Sequence, residues 1–233
     1  MDGFHLPNIP PPGRDLPGFR QTSHTTMATE SRTQPTSSHI AAAILAGGSA
    51  SRLGGRVKGL IQLPDGRTII QRLIDEIRAA GIGDIIICAN EPEPYRDLRL
   101  PIIADTNPGR GPLGGIAAAL AHFGATAEAV LYLASDMPAI TAGELRFLLA
   151  AFARAEAPAV LAEAPDGPHP LIAVARTGIR EEVERALHSD NRRATALWRS
   201  VGAEAVSFDR VEPFANINTP DDLDRWQRGD SSA

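Results

Sequence analysis

Apolar and polar positions follow two different periods along this chain, and each change of period marks an element boundary. Short, nearly unbroken apolar runs stand at 40–46, 84–89, 101–104, 129–134, 158–163, 171–175 and 203–207. Runs of that length predict strands, and those without polar interruption predict strands buried on both faces. Between them, apolar residues recur three and four apart over 68–80, 112–123, 141–155, 177–188, 191–200 and 219–227, which predicts helices with one face on a core. The boundary residues agree. Asp65-Gly66 predicts a turn, Thr68 an N-cap, and Gly81 a C-terminal stop for the first helix. Thr141 with Glu144 three residues on reads as a capping box. Strands that alternate with helices predict an α/β domain, its mainly parallel sheet flanked by helices. Around Asp166-Gly167 the order becomes strand, turn, strand, so a local antiparallel excursion is expected there, with His169 and Pro170 at its tip.

Residues 1–38 show neither period. They are rich in Pro, Ser, Thr and Gly, as in Pro10 to Gly13 and Thr33 to Ser38. Such a stretch buries too little surface to offset its ordering entropy, so it is expected to be a disordered extension. Met27, close before the first strand, is a candidate translation start. The chain thus divides into the extension 1–38, one domain over 39–228, and a tail over 229–233. Composition changes this picture little: hydrophobic residues make up 43% and charged residues 22% of the chain, ordinary for a globular protein. A net charge of −5 argues against a general nucleic-acid binder. The single cysteine, Cys88, allows no intramolecular disulfide and no Cys-based zinc cage, and it fits a reducing compartment. No apolar run is long enough to span a bilayer, and no basic start precedes an apolar signal core. A cytoplasmic protein without a membrane partner is expected.

The first strand empties into the most informative stretch, Leu45-Ala46-Gly47-Gly48 through Arg52-Leu53-Gly54-Gly55-Arg56-Val57-Lys58-Gly59-Leu60. Glycines let backbone N–H groups approach a ligand closely, and Arg52, Arg56 and Lys58 add positive charge along the same loop. This suits a polyphosphate, although a Gly-rich surface turn with solvated basic residues has the same composition. It is not a Walker A loop, since Lys58 lacks a following Ser or Thr, and the glycine spacing is not the dinucleotide fingerprint.

Open α/β sheets bind ligands beyond the carboxyl ends of their strands. Gly47 follows the first predicted strand, Asn90 the second, Asp105 the third and Asp136 the fourth. Asp136, in Ser135-Asp136-Met137-Pro138, is placed to hold Mg²⁺, which takes one or two carboxylates and completes its shell with phosphate and water. A turn or helix cap before Thr141 is the plain alternative. Asp105 opens a second Gly/Pro-rich loop through Gly115, where it either accepts from a base edge or ribose or simply closes the loop. His169 reads more readily as a solvated turn histidine than as a ligand. The adjacent Arg192 and Arg193 are either solvated or suited to an anionic second substrate. Asn216 and Asn218 lie two apart on an extended segment, hence on one face. Asn218 or Thr219 also caps the last helix, with Pro220 in its first turn.

Taken in order, these motifs resemble the molybdenum cofactor guanylyltransferases: Leu45 to Gly48, Arg52 to Gly55, Val57 to Leu60, Gly111-Pro112-Leu113-Gly114-Gly115, Asp136 to Pro138, His169-Pro170, and Asn216 to Pro220. The resemblance runs from Ile40 to Trp226. Val57 stands where the family usually carries Asp, and Cys88 where it often carries Asn. The resemblance implies a single Rossmann-like nucleotidyltransferase domain that transfers GMP from GTP to molybdopterin and releases pyrophosphate. It implies a GTP site of Leu45, Ala46, Gly47, Gly48, Lys58, Cys88, Asn90, Asp105 and Asp136. Lys58, Arg52 and Asp136 would be the catalytic residues, with Mg²⁺ on Asp136. His169, Arg192, Arg193, Asn216 and Asn218 would face molybdopterin. Molybdenum insertion proteins and chaperones of client molybdoenzymes would be its protein partners. A CTP-dependent relative is the alternative; such relatives usually lack the Gly111 to Gly115 loop. A non-catalytic pterin carrier would have no use for Lys58 and Asp136.

Overall fold

In β1 (Ile40–Leu45) the four central residues, Ala41 to Ile44, are fully buried. Alternate side chains point to opposite faces. Ala42 and Ile44 therefore join one apolar cluster, and Ala41 and Ala43 the other. β1 is an interior strand of the sheet, packed on both faces. The computed structural model describes residues 39–47, 52–53, 56–105, 107 and 109–228. The expectations for residues 1–38, for Gly48 and for the tail 229–233 fall outside these.

After β1 come a two-residue hairpin, β2 (Arg52–Leu53) and β3 (Arg56–Val57), and a 3₁₀ turn over Lys58–Leu60. Then follow α1 (Ile69–Ala79), β4 (Ile85–Cys88), a 3₁₀ segment over Glu93–Leu98, β5 (Ile102–Ile103), α2 (Pro112–Phe123), β6 (Ala129–Ala134) and α3 (Ala142–Arg154). The chain ends through β7 (Ala159–Ala164), β8 (Gly167–Arg176), α4 (Arg180–His188), α5 (Ala194–Ser200), β9 (Glu204–Ser207) and α6 (Pro220–Gln227). Capping boxes start α1 at Thr68 with Gln71, α3 at Thr141 with Glu144, and α6 at Thr219 with Asp222. Each satisfies otherwise orphaned N–H groups.

One mixed seven-stranded sheet runs in the order β5-β4-β1-β6-β8-β7-β9. Six strands point the same way; β8 alone is reversed, pairing antiparallel with both β6 and β7. The expected antiparallel excursion is thus a hairpin whose return strand inserts beside β6. α1 and α3 cover one face of the sheet, and α2, α4 and α5 the other. The result is a single α/β domain, its mixed, mostly parallel sheet flanked by helices.

Two local expectations are corrected. His169 is not at a turn tip but inside β8, because the reversal occurs at Pro165-Asp166 and is completed by Gly167 at φ 120°. The helix expected over 191–200 does not begin at 191: α5 begins at Ala194, leaving Arg192 and Arg193 ahead of it. The β2–β3 hairpin and the 3₁₀ segment over Glu93–Leu98 had no forecast, since neither is long enough to show a period.

Candidate active site

The strand register explains why the informative residues converge. Leu45 lies opposite Cys88 on one side and Ala134 on the other, and Cys88 lies opposite Ile103. These four residues form one row at the carboxyl edge of the sheet. Gly47, Asn90, Asp105 and Asp136 each follow a member of that row by two positions. The same backbone step at four adjacent strand ends brings them to one rim.

The β1–β4–β5 half of that rim holds a cavity of about 210 Å³, lined by Leu45, Gly47, Cys88, Asn90, Asp105 and Gly115 among others. Its walls are tied together by backbone bonds. Asn90 Oδ1 accepts from Asp105 N at 2.8 Å, and Asp105 Oδ1 accepts from Asn107 N at 2.6 Å. The Asp105 carboxylate lies hard against the first turn of α2: a Cβ on Gly114 would sit 1.8 Å from Asp105 Oδ2. α2 is entered through Gly111 at φ 62°, a conformation that side chains other than glycine rarely take. Cys88 is 3% exposed, and its thiol is pushed up to about 12, first by burial and then by the charge of Asp105. It is a neutral wall of the cavity rather than a nucleophile. Ala46 turns its side chain into the core and its carbonyl oxygen onto the Tyr95 hydroxyl at 3.2 Å.

Beyond Gly47, on the β6 side, stands a polar cluster that does not line the cavity. Lys58 is 5% exposed, and its Nζ donates to Asn218 Oδ1 at 2.7 Å and to Asp136 Oδ2 at 3.3 Å. Gly59 packs its backbone onto Ser135, where a Cβ would meet Ser135 Cβ and O at 3.3 Å. This close approach sets the Lys58 turn beside Asp136. The Asp136 carbonyl accepts from Ile217 N at 3.0 Å, which brings in the extended segment carrying Asn216 and Asn218. Arg72 Nε donates to Pro138 O at 2.7 Å, and Glu76 Oε2 accepts from Ala142 N at 2.7 Å, so α1 holds the loop after Asp136 at both ends. Arg52 belongs to β2, and its side chain lies outside the described parts of the structure.

Among the described residues no three His, Cys, Asp or Glu side chains gather. The Oδ1 of Asp136 takes no hydrogen bond from the described residues. A single carboxylate of this kind could serve only a cation that completes its shell with phosphate and water, as Mg²⁺ does.

Of the residues assigned to a second substrate, Asn218 lies directly on Lys58. His169 is reached from the same edge, because the β6–β8 register ends with Leu133 opposite Ile172 and the first part of β8 runs on beyond. Its ring stacks on Phe214 at 5.0 Å, and Nε2 meets Asp166 Oδ1 at 3.0 Å, so it is held rather than solvated. Trp198 Nε1 donates to Pro170 O at 2.6 Å and fixes α5 to this strand. Arg192 and Arg193 are exposed, with no contact to Lys58 or Asp136. Asn216 is exposed. Tyr95, Arg72 and Phe214 escaped sequence reasoning. Nothing in their local pattern signals that they meet Ala46, Pro138 and His169 across long stretches of chain.

Residues 42–205 match the family model described as a MobA-like NTP transferase domain. The molybdenum cofactor guanylyltransferase of Yersinia pestis (strain Pestoides F) is 32% identical over 193 residues, covering 82% of this chain and 96% of that protein. The crystal structure of molybdopterin-guanine dinucleotide biosynthesis protein A from Archaeoglobus fulgidus has a TM-score of 0.67 and 25% identity over 82% of this chain and 98% of that one. The 4-diphosphocytidyl-2C-methyl-D-erythritol synthase structure from Anaerococcus prevotii shares the fold at TM-score 0.66 and 14% identity, covering 84% of this chain and 97% of that one. Among the described residues no helix is long and apolar enough to cross a membrane. With its glycine-lined cavity and Lys58–Asp136 cluster on one sheet edge, the chain belongs to the MobA-like NTP transferase family and is a nucleotidyltransferase.

Proposed function

We propose that this nucleotidyltransferase moves GMP from GTP to molybdopterin, making a molybdopterin guanine dinucleotide. The terminal phosphate oxygen of molybdopterin attacks the α-phosphorus of GTP, the bond to the β-phosphate oxygen breaks, and pyrophosphate leaves. The observation that carries the reading is the 32% identity to a molybdenum cofactor guanylyltransferase along 96% of that protein's length. The site chemistry supports it. The cavity beside Gly47 takes the nucleoside, and Cys88, Asn90 and Asp105 form its wall. Asp105 is a carboxylate acceptor for the ring N–H and amino group that guanine presents together and that cytosine and adenine do not. The glycine backbone that follows β1 from Gly47 would cradle the phosphates, since the Ala46 N–H is already bonded to Cys88 O, and Lys58, with Arg52, would offset their charge and that of the departing pyrophosphate.

Transfers of this kind need in-line placement and charge neutralisation more than covalent help. The attacking phosphate oxygen is ionised near neutral pH, so no general base is required. Asp136 would hold Mg²⁺, which when bound neutralises phosphate charge and polarises the α-phosphorus. His169, Arg192, Arg193 and Asn216 are the molybdopterin-side candidates, and of these His169 lies where β8 overshoots β6. The test is base choice. GTP with Mg²⁺ should raise the melting temperature and turn over with molybdopterin to a guanine dinucleotide seen by mass spectrometry. CTP and ATP should do neither well, because the wrong base leaves buried acceptors unpaired at about 1–3 kcal/mol per group. Turnover with CTP as fast as with GTP would move the chain to a cytidylyl activity.

A further inference from the structure

We propose that Asn218 is a positioning residue for Lys58, holding the ammonium in place so that Asp136 is left able to take a divalent cation. This rests on the nucleotidyl-transfer reading above and assigns Asn218 to the nucleotide half of the site rather than to the second substrate. A lysine that is 5% exposed must find acceptors inside the protein. Among the described residues Lys58 has two, and the closer is the neutral one: Asn218 Oδ1 at 2.7 Å against Asp136 Oδ2 at 3.3 Å. Charged pairs in good contact usually come to about 2.7–2.9 Å, so the carboxylate contact is the looser of the two.

Asn218 is itself held from both sides. Its N–H donates to Asp222 Oδ2 at 3.0 Å, the oxygen that also accepts from Thr219 N at 2.8 Å in the capping box of α6. One residue earlier, Ile217 N donates to Asp136 O at 3.0 Å, and the Ile217 side chain is 2% exposed in the core. The backbone at 218 is therefore fixed relative to both the last helix and the strand end that carries Asp136, which sets the side-chain amide within reach of Lys58.

The chemistry needs a neutral acceptor there. A cation on Asp136 removes that carboxylate from Lys58 and repels the ammonium, which then keeps its place only through Asn218. Without the amide, Lys58 closes onto Asp136 and competes with the metal. With a carboxylate at 218, Lys58 is neutralised and drawn away from phosphate.

The test is a binding cycle without any second substrate. Affinity for GTP is measured by calorimetry across a Mg²⁺ titration, with melting temperatures, for the wild type, Asn218→Ala, Asn218→Asp, Lys58→Ala and the Lys58→Ala/Asn218→Ala double variant. Asn218→Ala should weaken GTP by roughly tenfold and raise the Mg²⁺ needed, as loss of a hydrogen bond to a charged group predicts. Asn218→Asp, nearly the same shape, should bind GTP more weakly still while melting no lower than Asn218→Ala. In the Lys58→Ala background, Asn218→Ala should cost nothing further. Additive losses, or wild-type GTP affinity in both Asn218 variants, would overturn the assignment. If the wild type binds no GTP, the guanylyl reading falls, and the same cycle run with whichever nucleoside triphosphate it does bind still decides the role of Asn218.

Discussion

Gly114→Ala is the sharpest probe of the nucleoside cavity, because the structure gives it two opposed effects. The added Cβ would fall 1.8 Å from Asp105 Oδ2, 2.2 Å from Cγ and 2.5 Å from Oδ1. No small adjustment relieves three such contacts, so the carboxylate must rotate away and give up its bond to Asn107 N at 2.6 Å. Losing a hydrogen bond to a charged group costs about 1.5–3 kcal/mol. Replacing a helical glycine by alanine returns up to about 1 kcal/mol, less this near the helix start. The net destabilisation is about 1–2 kcal/mol, which for a domain of this size lowers the melting temperature by roughly 2–8 °C. The protein should therefore fold. Its base recognition should not survive as well: a displaced Asp105 forfeits about 1–3 kcal/mol of guanine binding, or roughly 5- to 150-fold in affinity. Calorimetry with GTP and CTP, beside a melting curve, checks both halves. A folded Gly114→Ala protein with unchanged GTP affinity and unchanged preference over CTP would refute the placing of guanine against Asp105.

Four further outcomes are expected. Asp136→Asn should lose ~10²-fold or more of nucleotidyl transfer with the fold intact, and near-normal turnover would leave Asp136 a mere loop residue. Lys58→Ala should weaken GTP binding and turnover together, whereas Val57→Asp, at the N-cap position of the Lys58–Leu60 turn, should remain active; the reverse pattern would show the loop to be misread. The Cys88 thiol, raised to about 12 by burial and by Asp105, should resist iodoacetamide at pH 8 until the protein is unfolded, and prompt labelling of the native chain would contradict its burial. For Asp222, burial raises the pKa, but hydrogen bonds from Asn218, Thr219 and Arg225 together hold it below its ordinary 3.8. Its stabilisation is thus present above that value and lost as pH falls through the lower folded one, so Asp222→Asn should flatten the acid limb of the stability curve.

Much of the architecture was legible along the chain because its causes are local. Apolar runs and helical spacing located the seven strands of the main sheet and most helices, and Thr68, Thr141 and Thr219 marked helix starts through side chains that reach only three residues. Even the rim of the site was legible, since a glycine or polar residue just past each apolar run needs only parallel strands in register to meet its neighbours. What periodicity does not encode is which distant segments pair. The sequence announced a reversal near Asp166-Gly167, but only the tertiary structure decided that β8 would enter beside β6 and carry His169 onto Phe214. Asn218 read as a cap or a pterin contact. Its amide lies on Lys58 because Ile217 is buried and Asp136 accepts its N–H, a meeting across 160 positions. Asp105 read as a loop residue or a base contact, and the packing of α2 at Gly114 set where its carboxylate stands. Caps and strand ends follow from a few neighbouring residues; the contacts that tune a site depend on register and close packing, which exist only once the whole sheet has formed.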